Sequence, residues 1–455
     1  MPITPSRKEE VDGVNTINRS PKAVQNLTII SSFHPFEDKN FVFRRMKKFD
    51  KLIDEFNNEK NIIVFTTYPP KNTVYNGQGG LSSFGKNFVR QLNKNKKIKT
   101  IVFTSSDKRK PYFYKENKKT LVLRFLLKDK FLFFYHSILP LFKLNSAKKV
   151  IFHFEFSSYG DLTTTVGIPF LFLLLKILKK ETYLVLHQVE TDLNRLYGHL
   201  GWKKNSLKAK FFNFFIKIYL FTLSFLSKKI IVLEEEFKKR LINLKINQKK
   251  IVVIPHPVDN NFTVEKNNSQ KNNSLLYFGY LTWYKGIDFL LKNINKKINL
   301  IIAGGESPTL KNKPYYKKFI KNLLENIKNR KNIILTGFVP ENEIKNYFQN
   351  TQISIFPYRE FMSSSGPLSL TFSFEKPFLL SRPLEKYFES PDFAQALKET
   401  GLKKEDLIFD LNKKSLEEKL SWARKNLKKI SQFSKIMKEK RSWEKVAKIY
   451  LEVIK

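Results

Sequence analysis

Short apolar runs alternate with helix-length segments between Leu275 and Pro377, and small or Gly-rich corners follow the runs. The four runs are LLYFG at 275–279, LIIA at 300–303, NIIL at 332–335 and ISIFP at 353–357. This alternation predicts a parallel sheet with helices on both faces. Because open α/β sheets bind ligands beyond the carboxyl ends of their strands, we expect a ligand site along one edge.

The first half of the chain repeats the same alternation. Its predicted strands are Asn61–Phe65, Thr100–Thr104, Thr120–Phe125, Val150–Phe154, Tyr183–Leu186 and Ile230–Leu233. A glycine-containing stretch, Asn76–Ser83, comes before a predicted helix at Phe84–Leu92. Glycines allow a ligand to approach the backbone, and a helix N-terminus favours anions. An ordinary strand-to-helix turn would have the same pattern, so both interpretations stand.

The segment Lys208–Lys229 is rich in Phe, Leu and Ile and carries lysines at both ends. Lys217 interrupts it, and the apolar run that follows is too short to predict a membrane span. Two structures fit the pattern. One is a core helix, which we favour, and the other is a helix whose exposed side lies in a membrane interface beside anionic headgroups.

Length and charge narrow the function classes. A chain of 455 residues predicts two or three domains, and the absence of cysteine excludes disulfides and thiol catalysis. The net charge is 83 − 41 = +42. Nucleic acid, an anionic membrane surface or a general lysine bias could each account for it, and the chain has no recognisable nucleic-acid-binding motif. Met1–Ser20 is polar, so no signal peptide is expected.

Five motifs in order carry a resemblance to a known family. They are VIPHPVD, YFGYLTWYKGIDFLL, LIIAGGES, LTGFVPENEIKNYF and ISIFPYREFMSSSGPLSLTFSFEKPFLLS. Together they resemble the nucleotide-sugar domain of a family 4 glycosyltransferase. The resemblance implies an α/β protein of GT-B fold, with two Rossmann-like domains facing a central cleft and a C-terminal helix that crosses back to the first domain.

The resemblance also implies a division of the chain. The expected parts are an N-terminal extension, partly disordered, at residues 1–59, an acceptor domain at 60–248, a nucleotide-sugar domain at 249–432 and the returning helix at 433–455.

The resemblance places donor-binding residues in several corners. Lys285 matches the family's diphosphate lysine, and the turn at Ser365–Gly366–Pro367–Leu368 would point backbone N–H groups at phosphate. The expected donor-binding residues are Gly79, Gly80, Lys285, Val339, Ser365, Gly366 and Leu368. Val339 would read the nucleobase through its backbone. Each of these could instead be an ordinary surface or turn residue.

The catalytic candidates are His187 and Glu360. His187 follows a strand, where a neutral imidazole can hold a sugar hydroxyl, although a lone histidine is more often structural. Many members carry two glutamates that fall here at Met362 and Leu370, and Glu360, two residues before Met362, could substitute for the first. An arginine common in the family is also missing, because Tyr280 and Thr282 stand in its place.

The expected activity is transfer of a hexose from a nucleotide-sugar donor to a glycan or lipid-linked acceptor, with retention of configuration. No metal and no cofactor besides the donor are expected. The missing charges leave open a catalytically weakened relative that binds nucleotide or glycan, and the net charge leaves open a nucleic-acid-binding protein. The expected location is the cytoplasm, with peripheral attachment to the inner face of the plasma membrane as a further option.

Overall fold

A computed structural model describes residues 39–71, 80–107, 110–156, 158–259 and 273–455 of the chain. Gly79 and most of the predicted extension at 1–59 lie outside the described residues. Both sheets of the protein belong to one compact unit, residues 52–455.

The first sheet has eight strands in the order β3-β4-β2-β1-β5-β6-β7-β8. Only β3 runs antiparallel to its neighbour β4; the other pairs are parallel. The strands are β1 Ile62–Phe65, β2 Thr100–Ser105, β3 Tyr112–Asn117, β4 Thr120–Leu126, β5 Lys149–Phe154, β6 Glu181–Leu186, β7 Lys229–Val232 and β8 Ile251–Val253. The six predicted strands of this half are confirmed. Runs such as Ile62–Phe65 are buried throughout, as strands covered on both faces must be.

The second sheet has six parallel strands in the order β11-β10-β9-β12-β13-β14. They are β9 Ser274–Phe278, β10 Asn299–Ala303, β11 Ile333–Gly337, β12 Ile353–Phe356, β13 Phe378–Ser381 and β14 Ile408–Phe409. The four apolar runs that opened the sequence analysis are therefore β9 to β12. Since β9 pairs with both β10 and β12, the loops that follow these three strands meet at one edge.

Sixteen α-helices connect and cover the strands in the described part of the chain. They are α1 Lys39–Phe56, α2 Gly80–Leu92, α3 Ile138–Lys143, α4 Leu162–Ile177, α5 Tyr197–Leu200, α6 Leu207–Leu226, α7 Glu235–Asn243, α8 Ile287–Asn293, α9 Pro314–Ile327, α10 Ile344–Gln349, α11 Gly366–Ser373, α12 Pro391–Thr400, α13 Lys404–Leu407, α14 Lys413–Lys425, α15 Leu427–Lys440 and α16 Trp443–Val453. Short 3₁₀ segments lie at Tyr135–Ser137, Gln248–Lys250, Trp283–Lys285, Glu341–Glu343 and Arg382–Glu389.

Helix α6 is the apolar segment for which we favoured a core position. Only Ala209, Leu220, Leu223 and Ser224 of this helix are buried. The helix therefore packs on the first domain along one narrow side and leaves the rest of its apolar surface exposed. The core prediction holds for that side alone.

The last helix, α16, returns to the first sheet. Ser442 caps it by accepting a hydrogen bond from the amide of Lys445. The ring of Trp443 lies 5.1 Å from that of Phe84, and the ring of Tyr450 lies 4.9 Å from that of Phe88, both on α2. The expected crossing of the C-terminal helix to the first domain is confirmed.

Candidate functional site

The loop between β9 and α8 holds Lys285 in a fixed backbone conformation. Gly286 adopts φ +69°, and a Cβ there would lie 1.8 Å from the carbonyl oxygen of Pro357, so only glycine fits. Arg359 binds Asp288 through two 2.7 Å contacts and donates to the carbonyl oxygen of Trp283 at 2.7 Å. These contacts tie the loop after β9 to the loop after β12 and pre-organise the lysine.

The side chain of Lys285 is 7% exposed. A Cβ placed on Gly279, which has φ +124°, would lie 2.8 Å from Lys285 Nζ and 3.3 Å from Pro367 Cγ. The amine therefore lies beside the first turn of α11. Burial lowers the pKa of Lys285 to about 8, and the charge of Glu155 acts in the opposite direction.

The N-terminus of α11 is capped by its own serine. Ser365 Oγ accepts a hydrogen bond from the Leu368 amide at 3.3 Å, and the Ser365 amide donates to the Tyr387 hydroxyl at 2.9 Å. A Cβ on Gly366 would meet nothing within 4 Å. Open space therefore adjoins the positive end of a helix next to a buried lysine, an arrangement suited to an anion.

Glu155 faces this site from the first domain, one residue beyond β5. Burial raises its pKa to about 7, and the charge of Lys285 lowers it. Lys285 also lowers the pKa of His199, on α5 of the first domain, although burial is the larger cause and brings that pKa to about 4. Side chains of the first domain thus interact electrostatically with the Lys285 ammonium group of the second.

His187 belongs to a cluster of buried imidazoles around Phe84. Its Nε2 lies 3.0 Å from His153 Nδ1, and its ring centroid lies 4.7 Å from that of Phe84. The ring of His256 is 5.5 Å from the same phenyl group, and His256 Nδ1 lies 2.9 Å from Ser369 Oγ on α11. Burial lowers the pKa of His153 to about 3 and holds that of His187 well below its usual value. The cluster is therefore neutral at pH 7.

Glu360 lies in a different charged environment from Lys285. Burial raises its pKa, the charges of Arg195 and Arg240 lower it, and that of Asp192 raises it. Arg240 donates to Glu190 at 3.0 Å and, across the cleft, to the carbonyl oxygen of Phe361 at 2.9 Å. Glu360 is thus grouped with charges of the first domain.

The remaining predicted residues occupy separate corners. The side chain of Val339 is buried in an apolar cluster with Leu276 and Phe348, which leaves only its backbone for a ligand. Gly80 begins α2, and a Cβ there would meet nothing within 4 Å. Gly79 lies outside the described residues. The structure therefore groups Lys285, Ser365, Gly366 and Leu368 and places His187 close to them through the backbone contact of its carbonyl oxygen with the Ser364 amide, at 3.4 Å.

Three charged residues of the cleft had little or no sequence signal. Glu155 follows a predicted strand, as His187 does, and that strand-end position was the usable signal. Glu190 and its partner Arg240 are 50 residues apart in the chain, and no local pattern predicts their contact. Among the residues that the structure describes, no group of three or more His, Asp or Glu side chains is arranged to hold a metal ion.

Comparison with known proteins adds family and fold information. Residues 259–371 match the model of the family described as glycosyl transferases group 1. A search of curated proteins finds no match for this chain. The residues that match the family model span the loops after β9, β10, β11 and β12. They therefore include Lys285 and the turn that begins α11.

Several solved structures share the fold over most of the chain. Sucrose-phosphate synthase from Thermosynechococcus elongatus matches with a TM-score of 0.64 and 12% identity, covering 87% of this chain and 98% of that one. Anabaena HepE in complex with UDP matches with 0.56 and 10%, covering 87% and 99%. The catalytic domain of starch synthase IV from Arabidopsis thaliana, bound to ADP and acarbose, matches with 0.55 and 11%, again covering 87% and 99%.

These similarities each cover 87% of the chain. The two α/β domains with parallel sheets form a GT-B fold. The family match and the fold together support a glycosyltransferase enzyme.

Proposed function

We propose that this protein is a retaining glycosyltransferase of family 4 that transfers a hexose from a nucleoside-diphosphate sugar to a glycan or lipid-linked acceptor. The single observation that carries the proposal is the position of Lys285 Nζ beside Gly279 and Pro367, next to the N-terminus of α11. A diphosphate there would contact a buried cation and a helix dipole, the two features that stabilise a phosphate leaving group. HepE bound to UDP is one structure of the same fold in which a nucleotide is present.

The proposed reaction breaks the bond between the anomeric carbon and the phosphate oxygen, with the electron pair going to the diphosphate. The acceptor oxygen forms the new bond to the anomeric carbon, and its proton passes to the departing phosphate oxygen. Lys285 and the backbone amides of the Gly366 turn stabilise the negative charge that develops. His187 positions the sugar as a neutral imidazole, since burial and the nearby histidines keep its pKa low.

The proposed reaction requires no metal ion, because a lysine, backbone amides and a helix dipole neutralise the charge of the leaving group. We further propose that the protein acts in the cytoplasm, where nucleotide-sugar donors would be its co-substrates. Glu360 remains a candidate for a charged contact with the donor sugar.

A second candidate function is that of a weakened relative that binds nucleotide or glycan but turns over slowly. It is favoured by the apolar residues Met362 and Leu370 at the positions where many members carry glutamates. The position of Glu360 also favours it, because the charges that act on this carboxyl group are Arg195, Arg240 and Asp192 of the first domain.

The test is a thermal-shift series with UDP, GDP, ADP and their common sugars, on the wild type and on Lys285→Ala. A ligand that binds only the folded state raises the melting temperature, so one nucleotide should do so in the wild type. Lys285→Ala should abolish that shift and lower turnover about tenfold or more.

Lys292→Ala is the matched control, because Lys292 is an exposed lysine of α8 in the same domain. It should bind nucleotide and turn over as the wild type does. No shift with any nucleotide would contradict the donor site. Binding that depends on Lys285, without turnover on any glycan or lipid acceptor, would favour the weakened relative.

A further inference from the structure

The first domain has a continuous apolar surface formed by α4 and α6. On α6 the exposed apolar side chains are 47–82% accessible, and on α4 they are 47–68% accessible. We call these residues the apolar face: Leu207, Phe211, Phe214, Phe215, Ile218, Phe221 and Phe225 of α6, with Leu162, Val166, Phe170, Leu173 and Ile177 of α4. Their spacing of three or four residues puts each set on one side of its helix.

Contacts between the helices make these two stripes one surface. The Tyr219 hydroxyl donates to the carbonyl oxygen of Thr165 at 3.0 Å. Lys176 Nζ of α4 lies 4.8 Å from the centroid of the Phe225 ring of α6. Soluble proteins rarely expose apolar patches of this extent without a partner.

Lysines lie along both borders of the α6 part of the apolar face. At about 100° per residue, Lys210 and Lys217 lie along one border of the α6 stripe and Lys208 lies along the other. Seven lysines and no acidic residue lie between Trp202 and Ile230. An amphipathic helix with lysines beside a Phe-rich face is typical of helices that lie in the interface of an anionic bilayer.

Helix α6 is long and apolar enough to cross a membrane by length and composition, and it is the one described helix of which this is true. Its contacts indicate that it lies along the domain. Asn213 accepts a hydrogen bond from the Leu193 amide at 2.7 Å and donates to Asp192 at 2.9 Å. Leu220 and Leu223 are fully buried on the opposite side from the apolar face. A spanning helix would have to break these contacts.

We propose that the apolar face docks this protein onto the surface of an anionic lipid bilayer, with the Phe side chains in the interface and the lysines on phosphate headgroups. This proposal rests on the proposed function and deepens it, because docking on a bilayer favours an acceptor that is carried by the membrane. Charge decides between the bilayer and a second copy of the chain. A pair of copies would bring the lysine borders together, and like charges oppose such association.

The test is co-sedimentation of the full-length protein with vesicles of phosphatidylcholine alone or mixed with phosphatidylglycerol. The protein should partition onto the mixed vesicles and bind neutral vesicles more weakly, with binding reduced by added salt. Phe214→Gln with Phe221→Gln should lower the partition coefficient about tenfold or more, because both rings leave the interface.

Two further double variants make the test specific. Lys210→Gln with Lys217→Gln should lower binding to the mixed vesicles about tenfold or more and change binding to neutral vesicles little. Leu324→Gln with Ile334→Gln is the matched control, since these residues are 47% and 57% exposed but belong to the second domain. The control should bind as the wild type does.

The melting temperature of each variant, measured with and without nucleotide, tests folding and donor binding separately from docking. Vesicle binding needs neither donor nor turnover, so the docking proposal and the proposed function can fail independently. No partition onto the mixed vesicles, or equal losses in the Phe pair and the control pair, would overturn the docking proposal. A concentration-dependent dimer in ultracentrifugation that the Phe pair abolishes would assign the face to a second copy and also overturn it.

Discussion

At the scale of single residues, the cleft combines a buried lysine with a carboxyl group from the opposite domain. Burial lowers the pKa of Lys285 to about 8, and Glu155 partly offsets this effect. Below that pH the ammonium form predominates, and above it the amine loses its charge. Binding of a nucleoside diphosphate should therefore weaken as pH rises from about 7 to about 9, by up to about tenfold per unit above the pKa.

Glu155→Gln should move this decline to lower pH, because the variant removes the negative charge that supports the ammonium form. Isothermal titration of the nucleotide against pH gives the midpoint in both proteins. Glu360→Gln is the control, since the arginines that act on Glu360 are Arg195 and Arg240. Its midpoint should equal that of the wild type. An unchanged midpoint in Glu155→Gln would show that the two groups do not interact.

Single residues also show what the sequence can and cannot predict about the site. Lys285 and Gly366 could be predicted because each lies where the loop after a strand leads into the next helix, and parallel strands bring their carboxyl ends to one edge. The effect of Glu155 on Lys285 depends on how the two domains face each other, which no local pattern encodes. The contact of His187 with His153, 34 residues away, depends instead on the pairing of β5 with β6 within the first domain.

At the scale of elements, helix α16 contributes to the core of the first domain. Tyr450 is fully buried against Phe88, and its hydroxyl has no hydrogen-bond partner among the described residues. Tyr450→Ala should lower the free energy of unfolding by about 3–5 kcal/mol, because it leaves a large cavity. Tyr450→Phe should keep or slightly raise stability, since it removes a buried polar group that lacks a partner. Chemical denaturation measures both.

A matched surface substitution on the same helix completes that experiment. Ile449 is 37% exposed, so Ile449→Ala should cost much less than Tyr450→Ala. Equal losses for the two alanine variants would mean that the helix does not pack on the first domain as described.

Elements differ in how far the sequence determines them. The strands from β9 to β12 were predictable because each is a short apolar run that ends at, or is followed by, a glycine or a proline. Strand β3, Tyr112–Asn117, was missed because it is a half-exposed antiparallel edge strand with polar residues. A proline usually marks the first turn of a helix, but Pro169 lies inside α4. The helix begins seven residues earlier, at Leu162, and Asp161 caps it. For α6, periodicity could not distinguish a buried apolar side from an exposed one.

At the scale of the whole molecule, a buried cluster of charged side chains around Arg240 connects the two domains that face the cleft. Arg240 on α7 binds Glu190 at 3.0 Å and Glu236 at 2.9 Å within the first domain. The same guanidinium donates to the carbonyl oxygen of Phe361 in the second domain. Burial raises the pKa of Glu190 to about 8, and Arg240 counteracts that rise. Arg240 therefore favours the ionised form of a buried carboxyl group while it holds the domains together.

Arg240→Gln should lower the free energy of unfolding by about 3 kcal/mol, because it leaves Glu190 buried without its cation. Adding Glu190→Gln should restore part of the loss, since the second change removes the buried carboxyl group that has lost its partner. Urea denaturation of the wild type, the two single variants and the double variant gives the coupling energy. If the two losses simply add, the pair contributes no coupling, and the domain contact would rest on the backbone bonds and aromatic packing around it.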